Sequence, residues 1–137
     1  MNIENKQKEY KTNKTLVFSC QYHVIWTTKY RRRVLSEEIQ NELKQYILEK
    51  QNDFEYEILE MEIMSDHVHL LLDVNPDRGI SKIIGEIKGY TSKKLREKHI
   101  ELRKKLPCLW TRSKFISTVG SVSLKTVKKY IEDQKNV

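Results

Sequence analysis

Apolar and polar positions alternate strictly near the start of the chain. Leu16, Phe18, Cys20, Tyr22, Val24 and Trp26 fall two apart, a period that predicts a strand with one buried side. A basic loop, TKYRRR at 28–33, follows. Ser36 then stands as an N-cap ahead of Glu37 and Glu38, where carboxylates favour a helix N-terminus. Ile39, Leu43, Tyr46 and Ile47 continue at helical spacing, so an amphipathic helix is expected over 37–50.

The middle of the chain reads as a hairpin. Two strand-like runs, 54–64 and 67–74, flank Ser65 and Asp66 as a two-residue turn. Direct pairing across that turn sets Met64 opposite His67, Glu62 opposite His69 and Glu60 opposite Leu71. One face then holds Leu59, Met61 and Ile63 against Val68, Leu70 and Leu72, all apolar. His67, His69, Glu60 and Glu62 share the other face.

After Pro76, a helix marked by Ile80, Ile83, Ile84 and Ile87 is expected to run to about Lys98. Gly85 and Gly89 lie one turn apart on it, each costing ~1 kcal/mol relative to Ala. That cost points to close backbone approach by a strand or a ligand. Residues 99–114 read as basic and irregular, with His99 exposed, and 115–119 as a short strand. The last helix starts near Ser123 with Leu124, Val127 and Ile131 as its buried stripe. The order is strand, helix, strand, strand, helix, strand, helix. It predicts an α+β, ferredoxin-like (RRM-like) split βαβ antiparallel sheet with helices on one face and an added C-terminal helix. Residues 1–13 are expected as a flexible tail and 14–137 as a single domain.

Charge sharpens this picture. The 137 residues carry a net charge of +7. Residues 1–75 hold 10 basic and 13 acidic side chains, while 76–137 hold 16 basic and 6 acidic. A basic half of this kind points to a polyanion, nucleic acid first, with a solvated lysine-rich surface as the plainer alternative. Candidate DNA contacts are Lys29, Arg31, Arg32, Arg33, Lys82, Lys88, Lys93, Lys94 and Arg112. Tyr90, Trp110 and Phe115 are candidates for base stacking, with core packing an equal alternative. The longest apolar runs fall far short of the ~20 residues of a membrane span. Two cysteines, Cys20 and Cys108, make no disulfide framework, and Cys20 reads as a small core hydrophobe. A cytoplasmic setting is expected.

Two groups of residues carry candidate chemistry. His67 and His69 lie two apart on a strand, so both imidazoles project from one face, close enough to share a metal ion, with two polar residues on the solvent side of a sheet as the plainer alternative. A histidine-triad site would need a third histidine at position 71, which is Leu71. Tyr130 and Gln134 lie four apart on the last helix and share its face. They offer a nucleophile and an amide oxygen, with a rim tyrosine packing the helix edge as the plainer alternative for Tyr130. A free phenol has a pKa of about 10, so a tyrosine nucleophile benefits from a fixed phosphate and a polarising metal. Glu62, Asp66 and His23 are possible supporting residues.

The segments YHVIWTTKYRRRVL (22–35), MSDHVHLLL (64–72), KGYTSKKLR (88–96), LWTRSKFISTVGSVS (109–123) and KKYIEDQ (128–134) together resemble the small insertion-sequence transposases of the HUH, single-tyrosine class. The resemblance runs from about residue 16 almost to the C-terminus. It implies His67 and His69 as the HUH pair, Tyr130 as the catalytic tyrosine and Gln134 as the residue completing a Mg²⁺ or Mn²⁺ site. It also implies cleavage and rejoining of hairpin-ended single-stranded DNA through a 5′-phosphotyrosine. The expected assembly is a homodimer whose active sites combine the HUH of one subunit with the tyrosine helix of the other. Two other readings stay open: a domesticated HUH endonuclease that processes repetitive hairpins, and a non-catalytic RRM-like nucleic-acid-binding protein.

Overall fold

A computed structural model describes residues 11–12, 17–119 and 124–135. In chain order the strands are β1 (Lys11–Thr12), β2 (Val17–Phe18), β3 (Gln21–Thr27), β4 (Tyr56–Ile63), β5 (His67–Val74) and β6 (Phe115–Thr118). The helices are α1 (Glu37–Glu49), α2 (Gln51–Phe54), α3 (Ile80–Lys98), α4 (Ile100–Lys105) and α5 (Leu124–Glu132). β4, β5, β3 and β6 form one antiparallel sheet in that order. This is the expected split βαβ arrangement.

One face of the sheet carries the core. Val24 and Trp26 of β3, Val68, Leu70 and Leu72 of β5, and the apolar stripes of α1 (Ile39, Leu43, Ile47) and α3 (Ile83, Ile84, Ile87, Leu95) are buried together. Each such aliphatic side chain contributes about 1.5–3 kcal/mol by leaving water. α1 begins where expected, with the Ser36 side chain accepting a hydrogen bond from the Ile39 amide. α3 begins after Gly79, whose φ of +86° suits glycine.

The turn at Ser65 and Asp66 is closed by Met64 N–H donating to the His67 carbonyl at 2.9 Å. Glu62 pairs with His69, and Glu60 with Leu71, as the two-residue turn predicts. The expected apolar face is corrected at one position. A bulge between Ile58 and Glu60 brings Ile58, rather than Leu59, opposite Leu72. An extra residue in one strand shifts the facing of everything before it.

Other expectations change as well. The main strand starts at Gln21. Before it, Val17–Phe18 pairs with Lys11–Thr12 in a two-stranded ribbon, inside the stretch read partly as a tail. Leu16 and Ser123 lie outside the described residues, as do the side chains of Leu124 and Val127. The basic stretch after α3 contains a helix, α4. His99 at its start is buried against Glu42, with Nε2 to Oε2 at 2.6 Å. Trp110 is a core residue, edge-on to Trp26, and its indole donates to Thr91. Gly85 and Gly89 have open space where a Cβ would stand. They lie on the outer face of α3, and no strand among the described residues packs there.

Candidate active site

Strand alternation and register place the second face of the sheet. His67 and His69 of β5 stand across from Thr27 and Ile25 of β3, and Glu62 of β4 stands across from His69. Ile25 in turn pairs with Phe115 of β6. His23 lies on the same face, with its Nδ1 3.3 Å from His69 Nε2 and the two rings 5.5 Å apart. A shallow depression lined by Glu60, Glu62, His69 and Leu71 opens beside them. Burial holds the His69 imidazolium below its usual pKa, reinforced by His23 and opposed by Glu62 and Glu60. His69 is therefore neutral at pH 7, the form that binds metal.

His67 is oriented from behind. Its Nδ1 lies 2.8 Å from Asp66 Oδ1, which leaves Nε2 for another partner. Asp66 is buried, and its second oxygen lies 3.2 Å from Arg31 Nε. The basic loop wraps the hairpin tip, with the Thr28 amide donating to the Asp66 carbonyl at 3.0 Å and the Leu35 amide to that of Ser65 at 3.0 Å. Tyr30 and Arg31 both take left-handed backbone angles, φ 56° and 51°. Such angles are strained for residues with a Cβ. The turn leaves Tyr30 exposed and Arg31 directed inward.

α5 lies across the same face, over the β3–β6 side. The Tyr130 ring packs on Phe115 with centroids 5.3 Å apart. The Tyr130 hydroxyl is buried, and among the described residues the Ser113 hydroxyl lies close to it. Burial raises its pKa, with the Ser113 hydroxyl acting the other way. Gln134 is buried, and its Oε1 accepts from the Ser113 hydroxyl at 2.7 Å. The two groups singled out by the sequence thus share one face. β6 is two strands from β5, however, and no hydrogen bond among the described residues links Tyr130 or Gln134 to the histidines. Among the described residues, no three His, Cys, Asp or Glu side chains gather into a metal cluster.

Two of the expected DNA contacts are turned inward. Arg31 is bonded to Asp66 and to the Ile131 carbonyl of α5, the latter at 3.3 Å. Lys88 donates to the carbonyls of Thr111 and Ser113 at 2.7 and 3.2 Å. Burial pushes its amine down to about 8. Both side chains brace the chain internally, Lys88 through carbonyls of the 111–113 segment and Arg31 through two of its five N–H donors. Arg32, Arg33, Lys82, Lys93 and Arg112 are exposed, while Lys29 and Lys94 are partly covered and lie over the Tyr30 and Tyr90 rings. Sequence reasoning missed Ser113 and the burial of Ile25 on this face. A lone serine in a loop carries no signal. Ile25 is covered because its strand is central and α5 lies beside it.

The arrangement can be set against known proteins. The family model described as "Transposase IS200 like" matches residues 16–134. This chain belongs to the IS200-like transposase family. The ISDra2 transposase TnpA of Deinococcus radiodurans is 34% identical over 128 residues, 92% of this chain and 91% of that protein. The transposase of insertion sequence element IS200 from Salmonella typhimurium is 32% identical over 120 residues, covering 85% and 78%. A crystallised Deinococcus radiodurans transposase superposes with a TM-score of 0.83 at 30% identity, covering 93% of this chain and 99% of that one. A REP-associated tyrosine transposase bound to a REP hairpin shares the fold, with a TM-score of 0.56 at 15% identity and coverage of 89% and 68%. Family membership makes this IS200-like transposase a DNA-processing enzyme of insertion-sequence transposition. No helix among the described residues is long and apolar enough to cross a membrane.

Proposed function

We propose that this IS200-like transposase binds hairpin ends of its element in single-stranded DNA and cleaves and rejoins them through a phosphotyrosine on Tyr130. The observation that carries the reading is a phenol with a buried hydroxyl on the same sheet face as a paired, oriented HUH motif.

The chemistry balances within the chain and the DNA. Tyr130 Oη attacks the phosphorus and forms an O–P bond, while the P–O3′ bond breaks. The phenolic proton leaves as the departing 3′-oxygen gains one. The 5′-phosphotyrosine keeps the energy of the phosphodiester, so a 3′-OH can reverse the step without a nucleotide cofactor. The residues fit a Mg²⁺ or Mn²⁺ ion held by His67, His69 and Gln134, since two imidazoles and an amide oxygen form a mixed N/O donor set. Such an ion, when bound, neutralises charge at the scissile phosphate and polarises the attacking oxygen. Asp66 fixes the ring of His67, and burial keeps His69 neutral.

Gln134 is engaged by Ser113 on its own chain. This supports a homodimer in which the tyrosine helix of a second copy completes each site. Lys29, Arg32, Arg33, Lys82, Lys93, Lys94 and Arg112 then contribute salt-dependent contacts to the DNA backbone. The test is incubation with a single-stranded hairpin-end oligonucleotide and Mn²⁺, followed by a denaturing gel. A covalent protein–DNA band that disappears with chelator is expected. A band of equal intensity in chelator would contradict the metal assignment.

A further inference from the structure

Arg31 touches both the support of the HUH histidine and the tyrosine helix of its own chain. Its Nε lies 3.2 Å from Asp66 Oδ2, and the other oxygen of that carboxylate lies 2.8 Å from His67 Nδ1. Its Nη1 donates to the Ile131 carbonyl at 3.3 Å. Ile131 is the residue after Tyr130 and stands in the last turn of α5. That carbonyl also accepts from the Gln134 amide at 3.3 Å, and a cation at a helix C-terminus is favoured. The guanidinium fork can serve a carboxylate and a carbonyl together, whereas an ammonium is a point charge. The loop adopts two successive left-handed residues, and Arg31, the second of them, points inward.

We propose that Arg31 is a positioning residue that ties the tyrosine-bearing helix to the metal-binding histidine through Asp66. Docking of α5 and support of His67 then draw on one guanidinium, so a change at either end is felt at the other. Arg31 acts through Asp66 and α5 and touches no reacting atom. The inference rests on the reading of His67 as a metal ligand.

The test uses the full chain, metal-free and with Mn²⁺ alone. Hydrogen exchange is followed in α5 and, as a fold control, in α3, and Mn²⁺ affinity is measured by paramagnetic resonance of the free ion. Arg31→Ala should speed exchange in α5 by about tenfold, the scale of a hydrogen bond to a charged group. It should weaken Mn²⁺ binding by about tenfold, the scale for losing a residue that supports a ligand. Exchange in α3 should be unchanged. An unchanged value in either α5 exchange or Mn²⁺ affinity would break the link and overturn the proposal. If the alanine variant does not fold, Arg31→Lys keeps the charge but not the fork, and should still lose protection in α5. Full protection of α5 in that variant would overturn the proposal too. Wild-type protein that bound no Mn²⁺ would instead overturn the metal-site reading, leaving α5 exchange to decide the structural half.

Discussion

Lys88 illustrates how a charged residue can be legible in kind while its contacts are not. Its position on a basic helix suggests a phosphate contact, yet it donates to carbonyls of the 111–113 segment that carries Ser113. That segment in turn meets Gln134. Sequence spacing sees the helix face but not the loop that folds over it. Arg31 shows the same gap, since its partner Ile131 is 100 residues away. His67 and His69 were legible because strand alternation alone places them. The depressed Lys88 pKa has a signed consequence. The folded amine titrates at about 8 and a free lysine amine at 10.5, so between these values the unfolded chain holds more protons. Stability contributed by this group therefore rises with pH across that window and is constant below it. The difference in unfolding free energy between wild type and Lys88→Met should grow in favour of wild type from about pH 8 to 10.5, as followed by denaturant titration. A flat difference would mean that the carbonyls hold the proton as firmly as water does.

At the scale of elements, the hairpin was the most legible part, because a two-residue turn leaves one register that gathers the apolar side chains. The bulge at Leu59 escaped notice because two apolar residues, Ile58 and Leu59, compete for one inward position. α4 was hidden by lysines and arginines that read as loop. The glycines of α3 were noticed, but their surroundings were not. Both face open space at an ordinary helical backbone. Gly85→Ala and Gly89→Ala should each stabilise the free protein by about 1 kcal/mol, the helix-propensity difference. Thermal and urea unfolding check this. Destabilisation by either variant would mean that a neighbour packs on this face in solution, as a close-approach reading of the glycines requires.

For the whole molecule, the +7 charge resolves into an acidic half with the hairpin and a basic half with the tyrosine helix. The sheet brings them to a common face. There, an oriented histidine pair and a buried tyrosine are joined through Arg31. Fold class and the shared face of His67 and His69 could be read from local periods. The relation between the two groups needed the sheet order, which no local pattern specifies. The central claim is that Tyr130 is the nucleophile of this IS200-like transposase. Its most direct test is peptide mapping by mass spectrometry of the adduct formed on a single-stranded hairpin end with Mn²⁺, for wild type and Tyr130→Phe. The account predicts that the DNA mass lies on the peptide containing Tyr130, and that Tyr130→Phe forms no adduct while still binding the hairpin. An adduct that persists in Tyr130→Phe, or that maps to another residue, would contradict it.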